Sequence, residues 1–123
     1  MKKLLAAFAA CALCVTANAQ LTAVRNFGPN ELAVGTPIEG IDGSWYGTLY
    51  GGGANSMGAI YQITNTGTYK ILHSFSGSDG ANPVAGLVFS KDGNFYGTTS
   101  AGGMNGTGTI FSISPMGSFR RIL

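Results

Sequence analysis

From Gln20 onward the chain alternates short apolar runs with clusters of Gly, Asn, Asp and Ser, and no long apolar period of the helical kind interrupts them. Near the C-terminus, Ala85–Phe89 (AGLVF) is an apolar run closed by the turn Lys91-Asp92-Gly93. Asp-Gly between two such runs favours a hairpin, because Gly accepts positive φ and Asp hydrogen-bonds its own backbone. Asn94–Thr99 then places Phe95, Gly97 and Thr99 on one face and Tyr96 and Thr98 on the other. A glycine loop (Ala101–Gly108), a second alternating run (Thr109–Ile113), a turn (Ser114–Gly117) and a last run (Ser118–Leu123) complete the unit. The pattern predicts four short strands.

The same pattern occurs twice. Asp42–Leu72 returns as Asp92–Ile122, with a constant offset of fifty and twelve identical positions, among them Asp42, Tyr46, Gly47, Gly58, Ile60 and Gly67. Self-similarity at such a period marks a repeat architecture, in which one unit cannot bury its own apolar face. In the first copy Ser44–Tyr50, Gly58–Thr64 and Thr68–Phe75 are strand candidates. Its opening strand reads as degraded: Pro37-Ile38-Glu39-Gly40 answers Pro83-Val84-Ala85-Gly86 if four residues are missing before Asp42. Upstream, Leu21–Phe27 echoes Tyr69–Phe75 and reads as the last strand of a preceding unit. The expected fold is all-β and β-propeller-like, with two four-stranded blades of about 50 residues and one N-terminal orphan strand. The expected divisions are 1–19 as a signal peptide, 20–27 as the orphan strand, 28–75 as repeat 1 and 76–123 as repeat 2.

Asp92, Gly93, Tyr96–Thr99, Gly102, Gly103, Gly108–Phe111, Gly117 and Phe119, with the Leu72-His73-x-Phe75 run, form a joint pattern. In it the chain resembles the GloVer tandem-repeat family, bacterial exported proteins described as choice-of-anchor because their repeats precede different C-terminal sorting signals. The resemblance covers essentially all of the chain after the leader and implies export and a propeller-like repeat. It brings no established catalytic residues to carry over. No sorting segment follows Leu123 in this sequence, which leaves the mode of surface anchoring open.

The N-terminus changes how composition is read. Lys2 and Lys3, the apolar stretch Leu4–Val15 and the small residues Ala17-Asn18-Ala19 form a signal-peptide pattern, with cleavage expected after Ala19. Phe8-Ala9-Ala10-Cys11 supports an alternative, a lipoprotein anchored through Cys11, although Phe stands where a lipobox has an aliphatic residue. The apolar run is short for a membrane span, so no span is expected in the mature chain. The precursor's formal charge of +2 disappears with Lys2 and Lys3, leaving Arg25, Lys70, Lys91, Arg120 and Arg121 against Glu31, Glu39, Asp42, Asp79 and Asp92. That balance argues against nucleic acid as a partner, which requires clustered cationic charge. Cys11 and Cys14 leave too, so disulfides and thiolate metal sites are excluded from the mature chain.

Candidate chemistry is sparse. The Gly51–Gly58 and Gly102–Gly108 loops suggest phosphate cradles, but each runs from strand to strand without a Lys, whereas phosphate loops run into a helix. Asp42, Asp79 and Asp92 are candidate calcium ligands or catalytic acids. Each of the three is followed directly by Gly, which favours a turn role, and none lies in a calcium-loop pattern. His73 is the lone histidine, among apolar neighbours, and a structural role suits it better than that of a general base. Trp45-Tyr46 and Phe95-Tyr96 recur in step and fit packing between blades, with a sugar-stacking platform as the sharper alternative. No catalytic residue, cofactor or metal site is assigned. The expected function is that of an exported, non-catalytic, glycine-rich repeat module that binds an unknown protein or glycan; the alternative is a truncated fragment of an extracellular propeller enzyme or lectin acting on polysaccharide. Two blades bury little apolar surface, so self-association or missing repeats are expected as well.

Overall fold

The computed structural model describes residues 27–123 with their side chains, and residues 3–7, 12–17 and 20–26 as backbone strands alone. Cys11 and Ala19, on which lipidation and cleavage turn, lie outside the described residues. Every regular element among the described residues is a strand. Three N-terminal strands, β1 (Lys3–Ala7), β2 (Ala12–Ala17) and β3 (Gln20–Asn26), form one antiparallel sheet in that order. Repeat 1 supplies β4 (Ala33–Glu39), β5 (Trp45–Leu49), β6 (Ala59–Ile63) and β7 (Tyr69–Ser74). Repeat 2 supplies β8 (Val88–Phe89), β9 (Phe95–Thr99), β10 (Thr109–Ile113) and β11 (Phe119–Arg121). Each repeat is a four-stranded antiparallel meander in chain order. Neither sheet closes on itself, and no ladder joins the two.

One expectation about the strands is corrected. The opening strand of repeat 1 is not degraded: β4 runs for seven residues, whereas β8 has only two. Ile38 pairs with Tyr46 and Glu39 with Trp45; Val88 pairs with Tyr96 and Phe89 with Phe95. The fifty-residue offset therefore continues through the opening strand without a deletion. The likeness of PIEG to PVAG is not a structural equivalence. Pro83 belongs to the linker that enters repeat 2, while Pro37 lies inside β4, where the ladder shifts register between Val34 and Ile38. A proline lacks the N–H that a regular ladder needs, and an irregular stretch of a strand tolerates it.

A close backbone approach explains the Tyr-Gly-Thr core of each repeat. Gly47 pairs across the ladder with Tyr61, and Gly97 with Phe111. The far end of each ring lies over its glycine: a Cβ at Gly47 would collide with Tyr61 Oη, and one at Gly97 would sit 2.5 Å from Phe111 Cζ. The glycine makes room for the ring, and the ring covers a strand position that has no side chain of its own.

The two meanders stack face to face. Tyr46 and Ile60 from repeat 1 and Phe75, just beyond β7, meet Leu87, Phe95, Phe111 and Ile113 in one buried cluster. Tyr46 and Phe95 have ring centroids 4.2 Å apart, and Phe75 meets Phe111 edge-on at 5.3 Å. The opposite face of repeat 1 is buried as well, through Leu49, Ala59, Tyr61 and Ile63 with Phe27 against them. Burying a large apolar side chain of this kind is worth about 1.5–3 kcal/mol.

Phe95 has no solvent exposure, so Phe95→Ala removes a ring from the middle of the stack. The expected loss is about 3–5 kcal/mol, read from urea unfolding. Gly97→Ala is expected to cost about 1–3 kcal/mol by forcing the Phe111 ring aside.

Candidate functional site

Each repeat builds the same polar turn before its second strand. Asp42 Oδ1 accepts the Ser44 N–H at 3.0 Å, and Asp42 Oδ2 accepts the Tyr46 hydroxyl at 2.7 Å. Asp92 repeats this with the Asn94 N–H and the Tyr96 hydroxyl. In repeat 1 Gln62 Nε2 extends the chain by donating to Tyr46 Oη. Burial opposes ionisation of Asp42 but is outweighed by the tyrosine and backbone donors, so its carboxyl lies below the usual range. Burial and the neighbouring carboxylate push the Tyr46 phenol up to about 12. Both carboxylates are thus engaged in holding a turn and a tyrosine.

His73 and Asp79 are brought together at the end of β7. His73 Nε2 lies 2.7 Å from Asp79 Oδ2, and the Ser76 N–H and hydroxyl both donate to Asp79 Oδ1. The imidazole is sandwiched by rings: Phe119 stacks on it at 3.8 Å, and Phe75 meets it edge-on. Burial works against the charged Asp79 carboxyl, but the Ser76 N–H and His73 hold it below the ordinary carboxylate value. Sequence reasoning treated these two residues separately. The signal that could have joined them is their spacing across one short turn after a strand.

The linker between repeats is the most elaborately held segment. Asn82 donates its backbone N–H to Met57 O at 2.7 Å and its side-chain amide to Tyr50 O at 3.0 Å. Its own carbonyl accepts from the Ser100 N–H and the Ser100 hydroxyl, so one residue clasps both repeats. Asn82 takes φ of +54°, a left-handed conformation that Asn tolerates better than most side chains. Pro83 beside it is fully buried, against Gly58. Ala85 O then accepts the Thr48 hydroxyl at 2.8 Å. The linker thus fills a groove on repeat 1 whose walls are Thr48, Met57 and Gly58.

Repeat 2 carries the equivalent groove, and there it is open. A cavity of about 690 Å³ is bordered by Thr98, Thr107 and Gly108, the counterparts of those three residues, together with Ile110, Ile122 and Leu123. The surrounding sheet face is open too. Ile60 has no exposure in repeat 1, whereas its counterpart Ile110 is 40% exposed, and Val88 is 66% exposed.

The glycine loops hold themselves closed: Gly58 N–H donates to Gly52 O, and Gly108 N–H to Gly102 O. Among the described residues no three His, Cys, Asp or Glu side chains converge on a point. The geometry therefore defines a tandem β-repeat protein in which sheets stack and linkers insert. Residues 16–123 match the Gloeobacter/Verrucomicrobia repeat, and the chain belongs to that family. No curated protein matches the chain significantly.

Two outcomes follow from this geometry. Asn82→Ala is expected to cost about 2 kcal/mol, from one lost side-chain hydrogen bond and the strain of a left-handed alanine, measured by urea unfolding. Because the folded Asp79 carboxyl titrates below the ordinary carboxylate range, the unfolded chain takes up its proton more readily. Its stabilisation is present above about pH 4 and is lost as pH falls through the folded value. Asp79→Asn is expected to flatten, without abolishing, the fall in thermal midpoint between about pH 5 and pH 3, since Asp42 and Asp92 act in the same direction.

Proposed function

We propose that the chain is an exported, non-catalytic, propeller-like repeat module, secreted or periplasmic, that serves interaction with a protein or glycan. The single observation that carries the interaction reading is the open face of repeat 2, where apolar residues stand exposed at positions that repeat 1 buries. Export is supported by Lys2, Lys3, the apolar run Leu4–Val15 and Ala17-Asn18-Ala19. A propeller-like arrangement is supported by four-stranded meanders stacked in series, the relation that neighbouring blades have. A non-catalytic role is supported by the engagement of Asp42 and Asp92 in turns, each tied to its own tyrosine.

The test combines fractionation with a double variant. The exported protein is expected to begin at Gln20 by N-terminal sequencing; a lipid-modified Cys11 would replace cleavage after Ala19 with lipoprotein anchoring. Asp42→Asn combined with Asp92→Asn is expected to lower the unfolding midpoint, because both turns lose their acceptor strength. The wild-type protein is expected to release no reducing ends from polysaccharides. Hydrolysis that disappears in a still-folded double variant would overturn the non-catalytic reading.

A further inference from the structure

We infer that the open groove of repeat 2 is a binding site for an extended peptide of the Ala-Asn-Pro kind, the lead-in segment of a further repeat of this family. The inference deepens the interaction reading above and rests on it. Its ground is an equivalence within the molecule, because repeat 1 shows the same groove with its occupant in place.

The occupant in repeat 1 is the segment Ala81-Asn82-Pro83-Val84-Ala85. Four features of the groove hold it. Met57 O takes the Asn82 N–H, Tyr50 O takes the Asn82 side-chain amide, the Thr48 hydroxyl donates to Ala85 O, and Gly58 leaves room for the Pro83 ring. The fifty-residue offset places Thr107, Ser100, Thr98 and Gly108 at these four positions in repeat 2. All four are retained in what the contacts require. Two contacts use only a backbone carbonyl, Thr98 repeats the threonine, and Gly108 repeats the glycine at φ of +105°, close to the +97° of Gly58. Where Gly58 meets Pro83 Cδ, the nearest atoms to Gly108 belong to its own repeat.

The sheet face around the groove has kept the character of a covered surface. Ile38, Tyr46, Thr48, Ile60, Lys70 and Leu72 of repeat 1 correspond to Val88, Tyr96, Thr98, Ile110, Arg120 and Ile122. Every apolar position stays apolar although the side chains at 88, 110 and 122 are 66%, 40% and 46% exposed. A face built only for water would not hold four such positions in one patch. The stacking interface between repeats 1 and 2 therefore continues, in kind, onto the outer face of repeat 2. A second copy of this chain cannot supply the same segment, because its own residues 81–85 already fill its own repeat 1 and its Pro83 is buried there. The occupant is accordingly a further repeat that carries such a lead-in.

The experiment uses the intact protein and a synthetic peptide with the sequence of residues 80–87. Titration followed by backbone amide shifts is expected to saturate in the millimolar range, with the largest shifts at Thr98, Gly108 and Ile110. Modest affinity is expected, because a free peptide lacks the covalent link that raises local concentration within one chain. Thr98→Val should weaken binding by about threefold to tenfold, the share of one hydrogen bond. Ile110→Lys should abolish it with only a small fall in the unfolding midpoint, since the side chain is 40% exposed. A peptide with Asn82 and Pro83 both replaced by Ala should bind no better than a scrambled control. Absence of saturable shifts would overturn the inference, as would equal binding of the scrambled peptide. A dimer in sedimentation that Ile110→Lys breaks, together with no peptide binding, would show the face pairing with its own copy and overturn it too. Failure of the peptide with export and inertness toward polysaccharide intact removes the groove alone, whereas polysaccharide hydrolysis removes the module reading and leaves the groove to be judged by the peptide.

Discussion

The stacking of one four-stranded meander on the next, centred on Tyr46 against Phe95, is the contact on which the rest of the molecule depends. A four-stranded sheet this short has two faces and only one set of neighbours within its own repeat, so each face needs cover from outside. Repeat 1 has both faces covered, by Phe27 on one side and by repeat 2 on the other. Repeat 2 has one face covered. The glycine at the centre of each second strand serves the same end: Gly47 and Gly97 let Tyr61 and Phe111 lie close to the sheet, which keeps the stacked surfaces flat enough to meet.

Face-to-face packing is non-directional, so something else must set how one sheet is placed on the other. The linker does this. Asn82 binds carbonyls of repeat 1 and donors of repeat 2 through one residue, Pro83 keys into the space beside Gly58, and the Thr48 hydroxyl reaches Ala85 O. A close backbone crossing reinforces the placement: a Cβ at Gly35 would lie 2.3 Å from Gly86 N. Directional hydrogen bonds thus fix the register of an apolar interface that would otherwise slide. The His73–Asp79 pair, stacked on Phe119 of repeat 2, adds a second polar anchor at the C-terminal end of β7.

Much of this was legible in the chain because it is local. Asp-Gly turns, alternating runs and the fifty-residue offset placed most strands within one or two residues of their observed ends, since hairpins are specified by near neighbours. The opening strand of repeat 1 was misread for a physical reason. The short match between PIEG and PVAG draws on prolines in unlike settings, one inside an irregular strand and one in a buried linker, and only the cross-strand register separates them. The open groove could not be read at all, because its shape depends on a segment that repeat 1 borrows from its successor. No pattern within one repeat reports what the next repeat will insert.

The asymmetry between the repeats is the most informative consequence. Residues in the two sheets are closely matched, yet Ile60 is fully buried and Ile110 is 40% exposed; Thr48 is buried and Thr98 is not. What differs between these positions is that repeat 2 packs over the face of repeat 1. Burial in this fold is therefore a property of the neighbour more than of the residue. The sequence of a face records the surface it is built to meet, whether or not that surface is present. In repeat 2 the record is an apolar patch beside an open groove with the threonine and the glycine that, in repeat 1, receive an Asn-Pro linker. A chain assembled this way is extended most simply at that face, because each required contact already has its donor, its acceptor or its space in position.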